Sequence, residues 1–283
     1  MLAYITWDVN PELFNLFGRE IRWYGLCWAI GLLLAVLLVE RIYKHEKVPE
    51  NWFNKLFWYV FIGVIAGARL GHCLFYNPDY YLSHPIEILK IWEGGLASHG
   101  GTLGIIIAVL LYHRKTKQSV LWVLDRLIVA AGLTATFIRL GNLMNSEIYG
   151  YTTDLPWGFR FVRDSNWWKP IAEGGAGALP CHPTQIYEAL IYISIFAVAM
   201  YMYWRTNAKE KQGLILGICL IGIFLSRFFL EYLKNVQEPF ELQMRANIGM
   251  DMGQLLSLPF VIWGIWLVWN ALKTKPVKQE IKK

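Results

Sequence analysis

Apolar residues dominate seven windows of this 283-residue chain, beginning near Trp23, Leu56, Gly95, Ser119, Thr184, Gln212 and Met252. Each runs for about 20 residues, which at roughly 1.5 Å per helical residue is enough to cross about 30 Å of hydrocarbon. The pattern predicts an all-α, polytopic membrane bundle of about seven transmembrane helices, one integral membrane domain over residues 1–283. A soluble apolar core has no need of so many span-length runs. Trp23, Trp52, Trp92 and Trp204 fall at window ends, where tryptophan anchors a span at the membrane interface.

The connections between windows alternate in cationic content. One set carries Arg41, Lys44, Lys47 and Lys55, then Arg114, Lys115 and Lys117, then Arg205, Lys209 and Lys211, and finally Lys273, Lys275, Lys278, Lys282 and Lys283. The other set is longer in total yet holds only Arg19, Arg22, Lys90, Arg160, Arg163, Lys169, Lys234 and Arg245. Because cations are retained on the cytoplasmic side, the N-terminus is expected outside and the C-terminus in the cytoplasm, consistent with an odd number of spans. No basic leader precedes the first window, so that span is expected to be retained rather than cleaved. The net charge of +6 needs no nucleic-acid partner to explain it. The longest hydrophilic insert, residues 146–183, reads as an external loop or small subdomain between the fourth and fifth spans, its aromatic and cationic residues either lying on the headgroup surface or, the favoured reading, packing over the helix ends.

The remaining cations, Arg69, Arg126, Arg139 and Arg227, lie inside windows, where a bare charge costs several kcal/mol. Arg126 stands beside Asp125 near a cytoplasmic end and reads as structural. The other three sit near the opposite, outer ends, as do most other polar span residues: Tyr24, His72, Ser98, His99, Asn142, Asn145, Gln185, Tyr187, Glu188, Glu231 and Gln254. Residues three or four apart share a helix face, so Arg139, Asn142 and Asn145 can form one stripe and Arg227 can pair with Glu231. Guanidinium groups at headgroup depth suit a phosphate, because their planar donor fork matches its oxygens. His99 lies in SHGGTLG, where Gly100 and Gly101 allow another backbone or a substrate to come close. An imidazole there could take a proton near neutral pH or simply bond a neighbouring helix. A transporter would place its polar residues nearer the midplane, usually with broken helices in repeated halves. His72, His99 and His182 lack the HExxH spacing of a metallohydrolase and stand among arginines, so no metal is expected. The four cysteines form no CxxC pair and receive no chemistry.

Several motifs in order resemble the prolipoprotein diacylglyceryl transferases of bacterial inner membranes. They are IRWYGL from Ile21, GARLGHCLFYNP from Gly67, GGLASHGGTLG from Gly94, RLGNLMNSEIYG from Arg139, HPTQIYEA from His182, RFFLEYLK from Arg227 and MGQLLSLP from Met252. Departures fall at Ser98, Ile138, Leu143 and Ile223, the last standing where the family often has tyrosine. The resemblance implies transfer of the diacylglyceryl group of phosphatidylglycerol to the thiol of a lipobox cysteine in a prolipoprotein signal peptide, within the membrane lipids and toward the outer leaflet. It implies no cofactor. Carried onto this chain, Arg139 and Arg227 would hold the phosphate and Glu231 would orient Arg227. Tyr24, Asn142, Asn145 and Glu147 would wall the glycerol, and Gly100 and Gly101 would admit the substrates. His99 would receive the cysteine proton, unless Glu147 or a phosphate oxygen does.

Overall fold

The apolar windows fold as helices whose ends follow the polar punctuation. Helices α1 (Trp23–His45), α2 (Glu50–Phe75), α3 (Pro78–Ser83), α4 (Ser98–Thr116), α5 (Val120–Met144), α6 (Thr184–Arg205), α7 (Leu214–Leu230), α8 (Pro239–Ile248) and α9 (Met252–Lys273) succeed one another along the chain. This computed structural model describes residues 4–75, 77–91, 95, 97–166, 168–170, 175–235 and 239–275, without the side chains of residues 98, 99, 239 and 240. Among the described residues six helices, α1, α2, α5, α6, α7 and α9, are long and apolar enough to cross a membrane. The window expected from Gly95 becomes α4, whose 19 residues close on His113, Arg114 and Lys115 and so leave a shorter apolar stretch. The all-α expectation holds for the long elements but not between them. Strand β1 (Ile5–Trp7) pairs in parallel with β4 (Phe159–Phe161), and β2 (Glu12–Leu16) pairs antiparallel with β3 (Arg19–Arg22). Strands this short give too few alternating positions to stand out beside span-length runs.

The described residues divide into two compact units, one within residues 4–37 and 127–275, the other within residues 38–126. In the second unit α2 and α4 pack through small residues at intervals of four. A Cβ on Gly71 would come 2.8 Å from the Gly100 Cα, one on Gly67 would fall on the Gly100 carbonyl, and one on Gly104 would fall on the Gly63 carbonyl. Small faces of this kind let helix backbones meet where water provides no driving force. The buried Arg69 then gathers the segment between the two helices. Its Nε donates to the Ile88 carbonyl (2.9 Å), Nη2 to that of Glu87 (2.6 Å) and Nη1 to that of Gly95 (3.3 Å), and its guanidinium lies 5.1 Å from the Tyr81 ring centroid. At the other end of the unit, Arg126 donates from Nε and Nη2 to the two Glu46 carboxylate oxygens, both at 3.0 Å, and stacks 4.4 Å over Trp122.

In the first unit α7 and α9 meet where a Cβ on Gly217 would lie 2.8 Å from the Gly264 carbonyl oxygen. Helix α9 starts on a capping box. The Asp251 side chain accepts from the Gln254 N–H (2.8 Å) while the Gln254 side-chain carbonyl accepts from the Asp251 N–H (3.1 Å), satisfying two amides that the first turn leaves open. Gln254, polar at a span end, is therefore a cap, and its amide also donates to the Phe228 carbonyl of α7 (3.2 Å). The described residues between 145 and 183 fold around Tyr149, Phe159, Phe161, Ala176 and Cys181 together with Leu143 of α5. Tyr149 stacks on Phe161 at 4.6 Å and donates to Asp164 (2.7 Å), and Trp7 of β1 donates to the Leu143 carbonyl (2.9 Å). Burial, then the Asp164 charge, pushes the Cys181 thiol up to about 12.

Candidate active site

The end of α5 builds the site. After Met144 the chain reverses through Ser146, held at φ 55°, so that the Glu147 N–H donates back to the Asn142 carbonyl (3.1 Å). The reversal lays the Glu147 carboxylate over the helix end. There Oε1 accepts from the Asn142 amide (2.8 Å) and the Asn145 amide (3.3 Å), while Arg139 Nη1 donates to Asn142 Oδ1 (3.2 Å). The stripe read from the spacing of Arg139, Asn142 and Asn145 thus exists, and Glu147 joins it through the turn. Helix α6 secures that turn, since Gln185 donates to the Glu147 carbonyl (2.7 Å) and Thr184 to that of Ile148 (2.9 Å).

Charge enters from α6 and from the residues after α7. The fully buried Glu188 sets one carboxylate oxygen 2.9 Å from Arg139 Nε and the other 2.8 Å from Lys234 Nζ. Neither contact has the alignment of a linear hydrogen bond, so the two are ionic. Lys234 reaches this place because its backbone bridges to Gly150, where a Cβ would collide with the Leu233 carbonyl and with Thr184 and His182. Tyr192, one turn along α6 from Glu188, interacts electrostatically with both Arg139 and Arg227. Arg227 itself is half-buried on α7 and, among the described residues, pairs with no carboxylate. Among the described residues no ion pair joins it to Glu231. The Glu231 carboxylate turns to Lys234 (3.5 Å) instead, and its carbonyl accepts from Arg245 (2.7 Å), which also grips Asp251 at the α9 cap (2.6 Å).

Comparison with known proteins now decides the lineage. A family model described as prolipoprotein diacylglyceryl transferase matches residues 11–270. The chain belongs to this family. It is 54% identical over 282 residues to the phosphatidylglycerol-prolipoprotein diacylglyceryl transferase of Porphyromonas gingivalis, covering 99% of this chain and 98% of the relative. Enzymes of the same name from Bacteroides fragilis (47% over 290 residues, covering 98% and 99%) and Chloroherpeton thalassium (45% over 272 residues, covering 96% of each) are similar along their whole length.

Within this diacylglyceryl transferase family member, the residues singled out on sequence grounds separate. Tyr24 opens α1 against α5, where Gly141 has only hydrogen because a Cβ would come 2.9 Å from the Tyr24 ring, and the phenol feels the charges of Glu147 and Arg139. Tyr24, Arg139, Asn142, Asn145, Glu147, Arg227 and Glu231 all belong to the first unit; His99, Gly100 and Gly101 belong to the second. The backbone that Gly100 admits is that of α2, whereas a Cβ on Gly101 would meet the Ala68 Cβ at an ordinary 3.7 Å. The His99 side chain lies outside the described residues. Arg69, an intramembrane arginine on sequence grounds like Arg139, is committed to backbone carbonyls. Glu188, Tyr192 and Lys234 carry no role in the sequence reading, although a signal for them exists. Gln185, Glu188 and Tyr192 fall on one face of α6, and Lys234 lies three residues after Glu231.

Proposed function

We propose that this chain transfers the diacylglyceryl group of phosphatidylglycerol to a lipobox cysteine of a prolipoprotein. The thiolate sulfur attacks the glyceryl carbon bearing the phosphate, an S–C bond forms, and the C–O bond breaks with its electron pair leaving on glycerol phosphate. The thiol proton passes to a base, and the products are a thioether-linked prolipoprotein and glycerol phosphate. The observation that carries the reading is the pair of guanidinium groups on α5 and α7. Arg139 is fixed by Asn142 and Glu188, whereas Arg227 is left without a carboxylate among the described residues. A phosphodiester supplies the charge that Arg227 lacks, and preorganised donors stabilise the growing phosphate charge without reorganising during the reaction.

Glu147, held by two amides rather than by a cation, faces the glycerol with Asn142, Asn145 and Tyr24. Glu231 contributes by neutralising Lys234. His99 remains the first choice for the thiol proton, with Glu147 and a phosphate oxygen as alternatives. The six long helices together with α4 give seven spans, with the N-terminus outside, the C-terminus cytoplasmic, residues 146–183 external and the site toward the outer leaflet of the bacterial inner membrane. The alternation of Lys and Arg among the connections supports this orientation.

The test is purified protein in phosphatidylglycerol proteoliposomes with a lipobox peptide and its Cys→Ala control. Peptide mass and glycerol phosphate should rise together and only with the cysteine. Lipid loss without peptide modification would refute transfer. His99→Gln separates the bases: near-normal turnover across pH excludes an essential imidazole.

A further inference from the structure

Glu188 and Lys234 take no part in the chemistry above, yet both are buried charges in the first unit. Taking a carboxylate or an ammonium out of water costs several kcal/mol per ion, and the mutual attraction offsets this only with good geometry. Glu188 is held between Arg139 and Lys234, and Lys234 between Glu188 and Glu231. We infer that Glu188 and Lys234 are positioning residues that set the plane of the Arg139 guanidinium, an inference resting on the phosphate-binding reading of Arg139.

The guanidinium is rigid and planar, so the side chains that hold it determine its orientation. Asn142 Oδ1 accepts from Nη1 within α5, and from α6 the Glu188 carboxylate holds Nε by charge, one turn from the Tyr192 phenol that also bonds the Arg139 side chain. The first anchor is a short neutral side chain on the same helix; the second comes from another helix and carries charge. Glu188 would swing toward either cation if one were missing, and Lys234 holds its far oxygen at 2.8 Å. Lys234 in turn is placed by its bridge to Gly150 and by the Asn235 amide, which donates to the Gly150 carbonyl (3.0 Å). The turn that carries Glu147 and the ion pair that aims Arg139 therefore share one support.

Three cations (Arg139, Arg227, Lys234) and three carboxylates (Glu147, Glu188, Glu231) occupy this region. Glu188→Gln alone leaves an excess positive charge and Lys234→Met an excess negative one, whereas the double variant restores the balance. That separates positioning from mere charge compensation. Thermal stability, kcat, KM for phosphatidylglycerol and inhibition by glycerol phosphate would be measured on E188Q, K234M, E188Q/K234M and K234R. The expected result is a kcat loss of about 100-fold in E188Q, as for a group displaced by about an ångström, with weaker inhibition by glycerol phosphate. The double variant should recover thermal stability without recovering kcat, and K234R should retain most of both. A double variant that regains wild-type turnover along with its stability would overturn the positioning role. So would E188Q at wild-type kcat while Arg139→Ala is inactive. An active Arg139→Ala at normal abundance would instead remove the phosphate reading itself, whatever Glu188 does.

Discussion

Arg69 in one unit and Arg139 in the other look alike along the chain. Each is an arginine inside a span-length apolar run, close to the same side by the loop-charge pattern. Their surroundings differ. Arg69 donates to three main-chain carbonyls and lies beside a tyrosine ring, so its fork is occupied by the polypeptide. Arg139 meets one amide, one carboxylate and the Tyr192 phenol, which also interacts electrostatically with Arg227, a second guanidinium that pairs with no carboxylate among the described residues. An intramembrane arginine signals function only when its neighbours leave it donors or charge to offer. Where carbonyls or a bidentate carboxylate consume the fork, as they do for Arg69 and for Arg126 with Glu46, the residue holds the fold together.

The sharpest way to break this comparison is to remove each kind of arginine in turn. Arg139→Ala or Arg227→Ala should lower transfer by about 100-fold or more, the scale of losing a preorganised oxyanion donor; Arg227→Ala should do so with little change in thermal stability, whereas Arg139→Ala also destabilises because it takes a partner from the buried Glu188. Activity near wild type in a folded Arg227→Ala would return that residue to the structural class. Arg126→Met should do the reverse, destabilising by about 3 kcal/mol because it leaves the Glu46 carboxylate without its buried partner, while surviving folded molecules turn over normally. Thermal denaturation in detergent alongside the proteoliposome assay reads both effects.

A smaller contrast lies within the SHGG motif. Gly100→Ala places a methyl on the Gly67 carbonyl and should cost about 1–3 kcal/mol, the scale of overpacking. Gly101→Ala meets only ordinary contacts and should stay within about 0.5 kcal/mol of wild type, as substitutions away from special features do. Equal effects would mean that α2 and α4 do not meet through Gly100.

The smallest effect concerns Cys181, in the segment between α5 and α6. Its raised pKa means that the folded state holds the neutral thiol. Stability from this group is complete below the ordinary value of 9.0 and erodes as pH climbs from there toward about 12, because the unfolded chain loses the proton first. At pH 8 the thiolate fraction should be about a thousandth of that of a free cysteine, so alkylation of Cys181 should be far slower than after unfolding. Fast labelling of the folded protein at pH 8 would show that the thiol is neither buried nor protonated as described.

Much of this is legible in the sequence. Periodicity and length located every long helix, and the Arg139–Asn142–Asn145 spacing identified one face of the site, because residues on a single helix obey a fixed repeat. The same rule misled at Arg227 and Glu231. An i, i+4 spacing permits a pair, but Lys234, carried into place by a bridge to a glycine in a distant segment, attracts the carboxylate more directly. Glu147 was visible as a motif residue, whereas its reversal over the α5 end depends on a left-handed backbone at Ser146 that no hydrophobic pattern records.

The sequence by itself determined the membrane-spanning character, the family and the arginines worth testing, since hydropathy, helical period and ordered motifs are local properties of the chain. Only the tertiary structure decided which of those arginines the fold consumes and which it leaves to a ligand. That choice depends on carbonyls and carboxylates brought from elsewhere in the chain, and a charge inside an apolar run carries the same letter whether its partner is the backbone or a substrate.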